Sequence, residues 1–173
     1  KEMSHTNHKI DKNFIQVISK AAALHDIGKV AIPDNILLKP GKLSIEEFNE
    51  MKNHSIFGSE TLQVVLESYP ENMMIRMGAD IARSHHERWD GTGYPHQLAK
   101  EEIPLSARIV ALADVYDALR QKRCYKEAFD HEKSAAIIQS GKGKHFDPAV
   151  VDAFNRIESQ FISTFNKWSN QEA

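Results

Sequence analysis

Apolar residues recur at helical spacing through Phe14, Val17, Ile18, Ala21, Ala22 and Leu24, and the run ends at Gly28. That period predicts an amphipathic helix stopped by a glycine, with His25 on its buried face. Pro33 and Lys39-Pro40-Gly41 break the pattern. Ser44 with Glu47 then has the spacing of a capping box, which predicts a long helix to about Ser68 with His54 in its middle. Met74, Met77 and Ile81 stripe the next helix, and its end delivers His85 and His86 one turn further on.

From Glu87 to Pro104 the chain is polar and carries Gly91, Gly93 and Pro95, the composition of a loop long enough to have a function of its own. Helix is expected to resume with Pro104 in its first turn. Ile109, Val110, Leu112, Ala113, Val115, Tyr116 and Leu119 make that helix apolar nearly all round, so it should lie centrally and bury Asp114 with it. A further helix runs from about His131 to Gln139, and another opens at Asp147-Pro148 with Phe154, Ile157, Phe161, Phe165 and Trp168 on its apolar face. No alternating run of strand length appears, so the expected fold is all-α.

At 173 residues with 41% hydrophobic content, one core and one domain over residues 1–173 are expected. The chain starts without Met and enters helix almost at once, which suggests a portion of a longer protein with a regulatory domain upstream. A net charge of −2 argues against a surface that wraps duplex nucleic acid, so any anionic ligand must be held locally. The single cysteine, Cys124, excludes an internal disulfide framework and suits a reducing compartment, with cytoplasm the expectation. No run approaches the roughly 18 apolar residues of a membrane span.

The chemistry lies in six residues: His25, Asp26, His54, His85, His86 and Asp114, spread over four expected helices and each on or beside an apolar face. Any one of these histidines is most simply a satisfied core residue. Two adjacent pairs together with a mid-helix His and a buried Asp are harder to assign to packing, because buried polar groups need partners. A metal centre accounts for all six. Nitrogen and oxygen donors without thiolate favour iron, manganese, nickel or zinc, the first two foremost. Six donors exceed one open catalytic site, and a carboxylate such as Asp26 can bridge two ions, so at least two are expected and a third is left open. A hydroxide held between such ions attacks phosphorus readily, which makes phosphodiester hydrolysis the natural reaction. Lys29, one helical turn after Asp26, can reach the same pocket to offset phosphoryl charge or protonate a leaving oxygen; a solvated lysine is the plain alternative.

His25-Asp26-Ile27-Gly28-Lys29, His85-His86-Glu87-Arg88-Trp89-Asp90-Gly91-Thr92-Gly93-Tyr94-Pro95 and Ala113-Asp114-Val115-Tyr116-Asp117-Ala118-Leu119 together resemble the signature of the HD-GYP family, a subset of the HD superfamily. The likeness extends from Ala21 to Phe154 and includes His145-Phe146-Asp147-Pro148. It implies hydrolysis of 3′,5′-cyclic di-GMP to linear pGpG or GMP, or of the mixed GMP–AMP cyclic dinucleotide. It also implies that the six residues are metal ligands with Asp26 as the bridge, and that Lys29 stands beside the scissile phosphate. Gly93, Tyr94 and Pro95 would shape the substrate groove and contact a GGDEF-type cyclase domain, while Arg123 and Lys126 would hold phosphate.

Departures from the family pattern are an upstream metal-binding His, for which only His5 and His8 are available, and Arg120 and Cys124 in place of a small hydroxyl residue and a proline. Arg120 is expected to add charge near the groove. The competing readings are a signalling module that binds nucleotide or cyclase without turnover, and a general HD phosphohydrolase acting on mononucleotides.

Overall fold

The computed structural model describes residues 10–121 and 128–169, the last two by backbone alone. Arg123, Lys126, Cys124, His5 and His8 lie outside the described residues, as does the side chain of Trp168.

The expected first helix is shorter than its apolar period. Helix α1, Lys12–Ala21, is capped by Asp11, whose carboxylate accepts from the Phe14 N–H at 2.7 Å. The chain then tightens into 3₁₀ turns at Ala22–Leu24 and Ile27–Ala31, so His25 and Asp26 stand between two turns rather than on one helix. A short helix α2, Asp34–Leu37, follows. The capping box forms as read: Ser44 caps α3, Ile45–Lys52, and the Glu47 side chain accepts from the Ser44 N–H at 2.7 Å. The long helix expected to continue to Ser68 is broken at Asn53, and α4, His54–Ser68, starts there. His54 therefore opens a helix instead of sitting in mid-helix.

Helix α5, Met73–Ser84, capped by Asn72, ends with His85 as its C-cap. Past the loop comes α6, Leu105–Arg120, with Pro104 as its cap rather than in its first turn. Then come α7, His131–Ser140, and α8, Pro148–Arg156, each capped by an Asp side chain, Asp130 and Asp147. The apolar face expected on one last helix is divided at Ile157 between α8 and α9, Glu158–Ser169. Among the described residues there is no strand beyond the isolated bridges Asp90–Ala99 and Lys142–Phe146, and no helix is long and apolar enough to cross a membrane.

Helix α6 joins the core clusters. Its Val110 packs with Ala21 of α1 and Ile81 of α5, while Leu112 and Tyr116 pack with Ile138, Phe146, Val151 and Phe154. A third cluster, Leu62, Ala79 and Ala82, ties α4 to α5. Asp114 is buried only in part: about a third of its side chain remains exposed, and the neighbouring Ala113 is exposed too.

Small residues set how closely these elements approach. A Cβ on Gly28 would lie 2.0 Å from the His54 carbonyl oxygen and 2.4 Å from the Gly58 nitrogen. Only glycine lets the second 3₁₀ turn press against the start of α4, and that contact places Asp26 beside His54.

Candidate metal centre

His25, His54 and His85 are aimed in one way. Nδ1 of His25 lies 2.8 Å from the Ala22 carbonyl, Nδ1 of His54 2.7 Å from that of Met51, and Nδ1 of His85 3.1 Å from those of Ile81 and Ala82. A carbonyl only accepts, so each Nδ1 donates; the neutral rings of His54 and His85 present the lone pair of Nε2 on the far side, whereas Nε2 of His25 hydrogen-bonds to Asp26. Those Nε2 atoms face oxygens. His25 Nε2 is 3.2 Å from Oδ2 of Asp26 and 3.8 Å from Oδ1 of Asp114; His54 and His85 Nε2 are 3.4 and 3.9 Å from Oδ1 of Asp26. The two oxygens of Asp26 thus serve different imidazoles, His25 on one side and His54 and His85 on the other.

His86 completes the second group. Its ring lies 3.9 Å from that of His85 and 5.0 Å from that of His54, centroid to centroid. Donor atoms of Asp26, His54, His85 and His86 all fall within 4.8 Å of one another. Lys29 closes the other side, with Nζ 2.6 Å from Oδ2 of Asp26.

The electrostatics are those of a cluster built around cations. Nε2 of His54 and of His85 are buried with no hydrogen-bond partner, a costly state for a lone pair unless something electrophilic meets it. Burial, with neighbouring imidazoles, lowers His85 to about 4 and His86 to about 2, and burial lowers His54 as well, so these rings are neutral as a ligand must be. Burial raises the Asp26 carboxyl, but hydrogen bonds from His25 and Lys29 outweigh it and hold it well below the usual carboxylate range. Its hydrogen bond to Asp26 raises His25 against the opposing effect of burial. Burial raises Asp114, and the Asp26 charge adds to this. Lone pairs aimed at carboxylate oxygens, with two left orphaned, fit bound divalent ions in a way that packing alone does not.

Beside the cluster runs a groove of about 740 Å³. One wall is Phe48, Asn49 and Lys52 from the end of α3, with Asn53; the other is His86, the loop at Gly93-Tyr94-Pro95, and His145. Tyr94 is turned inward, its ring stacked on His86 with centroids 4.7 Å apart and planes at 26°. Burial and the charges of Asp26 and Asp114 push its phenol up, so it stays a hydroxyl donor. Gly93 is obligatory, since a Cβ there would lie 2.4 Å from the Arg88 nitrogen.

The six ligand candidates, Lys29, Gly93, Tyr94 and Pro95 therefore gather at one place. Arg120 does not join them: it donates to the Phe129 carbonyl and lies over the Phe165 ring at 4.6 Å, so the charge expected near the groove is spent at the far end of α6. Sequence reading overlooked Glu87, Phe48, Lys52 and His145. Glu87 is buried and accepts from the backbone of His96 and Leu98 at 2.7 and 3.1 Å, which fastens the loop to its own start. Its signal was present in the sequence, a carboxylate at the head of a loop rich in free N–H groups.

An all-α domain whose helix ends converge on a histidine–aspartate cluster is the architecture of HD domains. The chain belongs to that family: the HD domain model matches residues 2–150. It is 53% identical over 150 residues to a cyclic di-GMP phosphodiesterase of Vibrio cholerae, a match covering 87% of this chain and 30% of the relative. It is 48% identical to the cyclic di-GMP phosphodiesterase response regulator RpfG of Xanthomonas campestris, covering 92% and 41% of the respective chains. It is also 42% identical to the 3′3′-cGAMP-specific phosphodiesterase 2 of V. cholerae, over 85% of this chain and 27% of that one. The chain thus spans less than half the length of each of these relatives. In fold it is similar to a crystal structure of a cyclic GMP-AMP specific phosphodiesterase of V. cholerae, with a TM-score of 0.56 over 90% of this chain and 41% of that chain at 20% identity.

Proposed function

We propose that this chain is a metal-dependent phosphodiesterase domain that hydrolyses 3′,5′-cyclic di-GMP or a related 3′,3′-cyclic dinucleotide to the linear dinucleotide or mononucleotides. The observation that carries the reading is the division of Asp26, whose Oδ2 meets His25 and Lys29 while its Oδ1 meets His54 and His85. Relatives named for cyclic di-GMP and for 3′3′-cGAMP support the substrate class.

In this reading His25, Asp26 and Asp114 would hold one divalent ion and Asp26, His54, His85 and His86 a second; the nitrogen and oxygen donors suit iron or manganese first, then nickel or zinc. Such ions activate water and neutralise charge on a phosphoryl oxygen. The chain's own groups do the rest. Lys29 brings its ammonium to the edge of the site, where it offsets the charge gathering on phosphate and stands ready to protonate the leaving oxygen. Tyr94 donates its hydroxyl to a phosphoryl oxygen and its stacked ring keeps His86 in place. Gly93 and Pro95 shape that loop beside the ligand cluster, and Arg123 and Lys126 are assigned to contact phosphate. The contact with a GGDEF-type cyclase domain through this loop draws no support from the geometry, because Tyr94 faces the groove.

Protein loaded in turn with iron, manganese and nickel and incubated with cyclic di-GMP and with the mixed GMP–AMP cyclic dinucleotide is expected to yield linear or mononucleotide products on chromatography. Both substrates surviving intact with every metal would overturn the proposal.

A further inference from the structure

The wall of the groove contributed by α3 has no part in the metal centre, and its side chains are arranged for a ligand. Phe48 stands edge-on to Tyr94, ring centroids 6.4 Å apart at 81°, and is nearly half exposed. Above them lies the ammonium of Lys52, 4.8 Å from the Phe48 centroid and 5.7 Å from that of Tyr94. Lys52 is half-buried and forms no ion pair among the described residues; its one hydrogen bond goes to Oδ1 of Asn49 at 3.0 Å. A cation withdrawn from water onto two rings, with no carboxylate to meet it, still has donors to offer. His145, which also lines the groove, is held by stacking on Phe146 and has no hydrogen-bond partner for its ring among the described residues. The groove has the size of a small-molecule site, typically about 300–1,000 Å³, and it shares His86 and Tyr94 with the metal centre.

We infer that this groove is the seat of one purine of the substrate and that Lys52 is a specificity residue, donating to the acceptor edge of a guanine. The inference rests on the phosphodiesterase reading above and adds the base that is read and the residue that reads it. The scissile phosphate belongs at the metal centre beside Lys29, so what enters an aromatic-walled groove next to it is the attached base. Guanine turns two acceptors, N7 and O6, to a lysine; adenine turns N7 and an amino donor, which an ammonium opposes. The rings of Phe48 and Tyr94 give the base an apolar wall without choosing between purines. Lys52 makes the choice.

The test compares the wild-type chain with Lys52→Met and Lys52→Arg, both checked for unchanged thermal unfolding. It measures kcat and KM on cyclic di-GMP and cyclic di-AMP, and binding of both to metal-depleted protein by calorimetry. Losing a specific lysine–guanine contact is expected to raise KM and weaken binding for cyclic di-GMP roughly 10- to 100-fold. The kcat should stay within about two-fold, cyclic di-AMP should be little affected, and Lys52→Arg should keep the guanine preference. If Lys52→Met leaves the preference as it was, or weakens both dinucleotides equally as loss of a phosphate contact would, the assignment is overturned. A wild-type chain that binds cyclic di-GMP through Lys52 yet cleaves nothing would retain this inference and sink the phosphodiesterase reading instead.

Discussion

Gly28 and Gly58 meet backbone to backbone, with the Gly58 nitrogen 2.4 Å from where a first side-chain carbon on Gly28 would stand. The same carbon would be 2.0 Å from the His54 carbonyl, and neither obstacle is a side chain able to swing away. Gly28→Ala is therefore expected to force the second 3₁₀ turn off α4, at a cost of about 3 kcal/mol or more, the upper range for overpacking. Urea unfolding would measure the loss. Metal content should fall with it, since the turn carries Asp26 and α4 carries His54.

Asp26 is the side chain on which the proposed ions depend jointly. Asp26→Asn is expected to leave helicity by circular dichroism intact. It should lower metal affinity by more than about 100-fold, beyond what losing a merely supporting residue costs, and abolish hydrolysis. Metal analysis after dialysis checks it; a variant that keeps both its ions would remove Asp26 from the bridge.

Glu87 makes a separable prediction. Removing its carboxylate leaves the His96 and Leu98 N–H groups without that acceptor at a partly buried site. Glu87→Ala should thus cost about 1–3 kcal/mol, and limited proteolysis should cut between residues 91 and 99 more readily. Most bound metal should be retained, since Asp26, His54 and His85 are held by other elements, while turnover drops because the loop positions Tyr94 and, through it, the His86 ring. Glu87→Gln, which keeps an acceptor, should recover part of the stability.

His145 supplies a pH dependence. Burial, with the Arg88 charge, lowers it to about 4, against about 6.5 in an unfolded chain. Between these values the unfolded state binds more protons, so its contribution to stability is whole above pH 6.5, is lost as pH falls toward 4, and changes no further below. The slope is at most about 1.4 kcal/mol per pH unit. Denaturant midpoints followed from pH 7.5 to 4 on metal-depleted protein should show wild type losing stability relative to His145→Gln as the pH drops, and parallel curves would rule the residue out.

Helices and caps were legible because each is written locally. Ser44 with Glu47, and Asp147 with Pro148, act within a few residues, and the stripe Met74, Met77, Ile81 needs only its own period. The ligand set was legible because paired polar residues stood out on apolar faces. The breaks at Asn53 and Ile157 were not, since the apolar period runs through them and only the backbone records the turn. Asp114 is less covered than the apolar pattern predicts for a related reason: a helix apolar nearly all round reads as enclosed on every side, yet the side of α6 that faces the cluster is left partly open. Lys52 and His145 lie over 90 positions apart in the chain and line the same groove, a juxtaposition no local spacing encodes.

The tethering of three imidazoles to main-chain carbonyls has a consequence for how such a domain diversifies. Their aim is set by the path of the backbone and is independent of what lines the neighbouring cleft. Residues along α3 can then be exchanged, and the preferred nucleobase changed with them, while the hydrolytic machinery stays in register; selectivity and reactivity are inherited on separate parts of the chain.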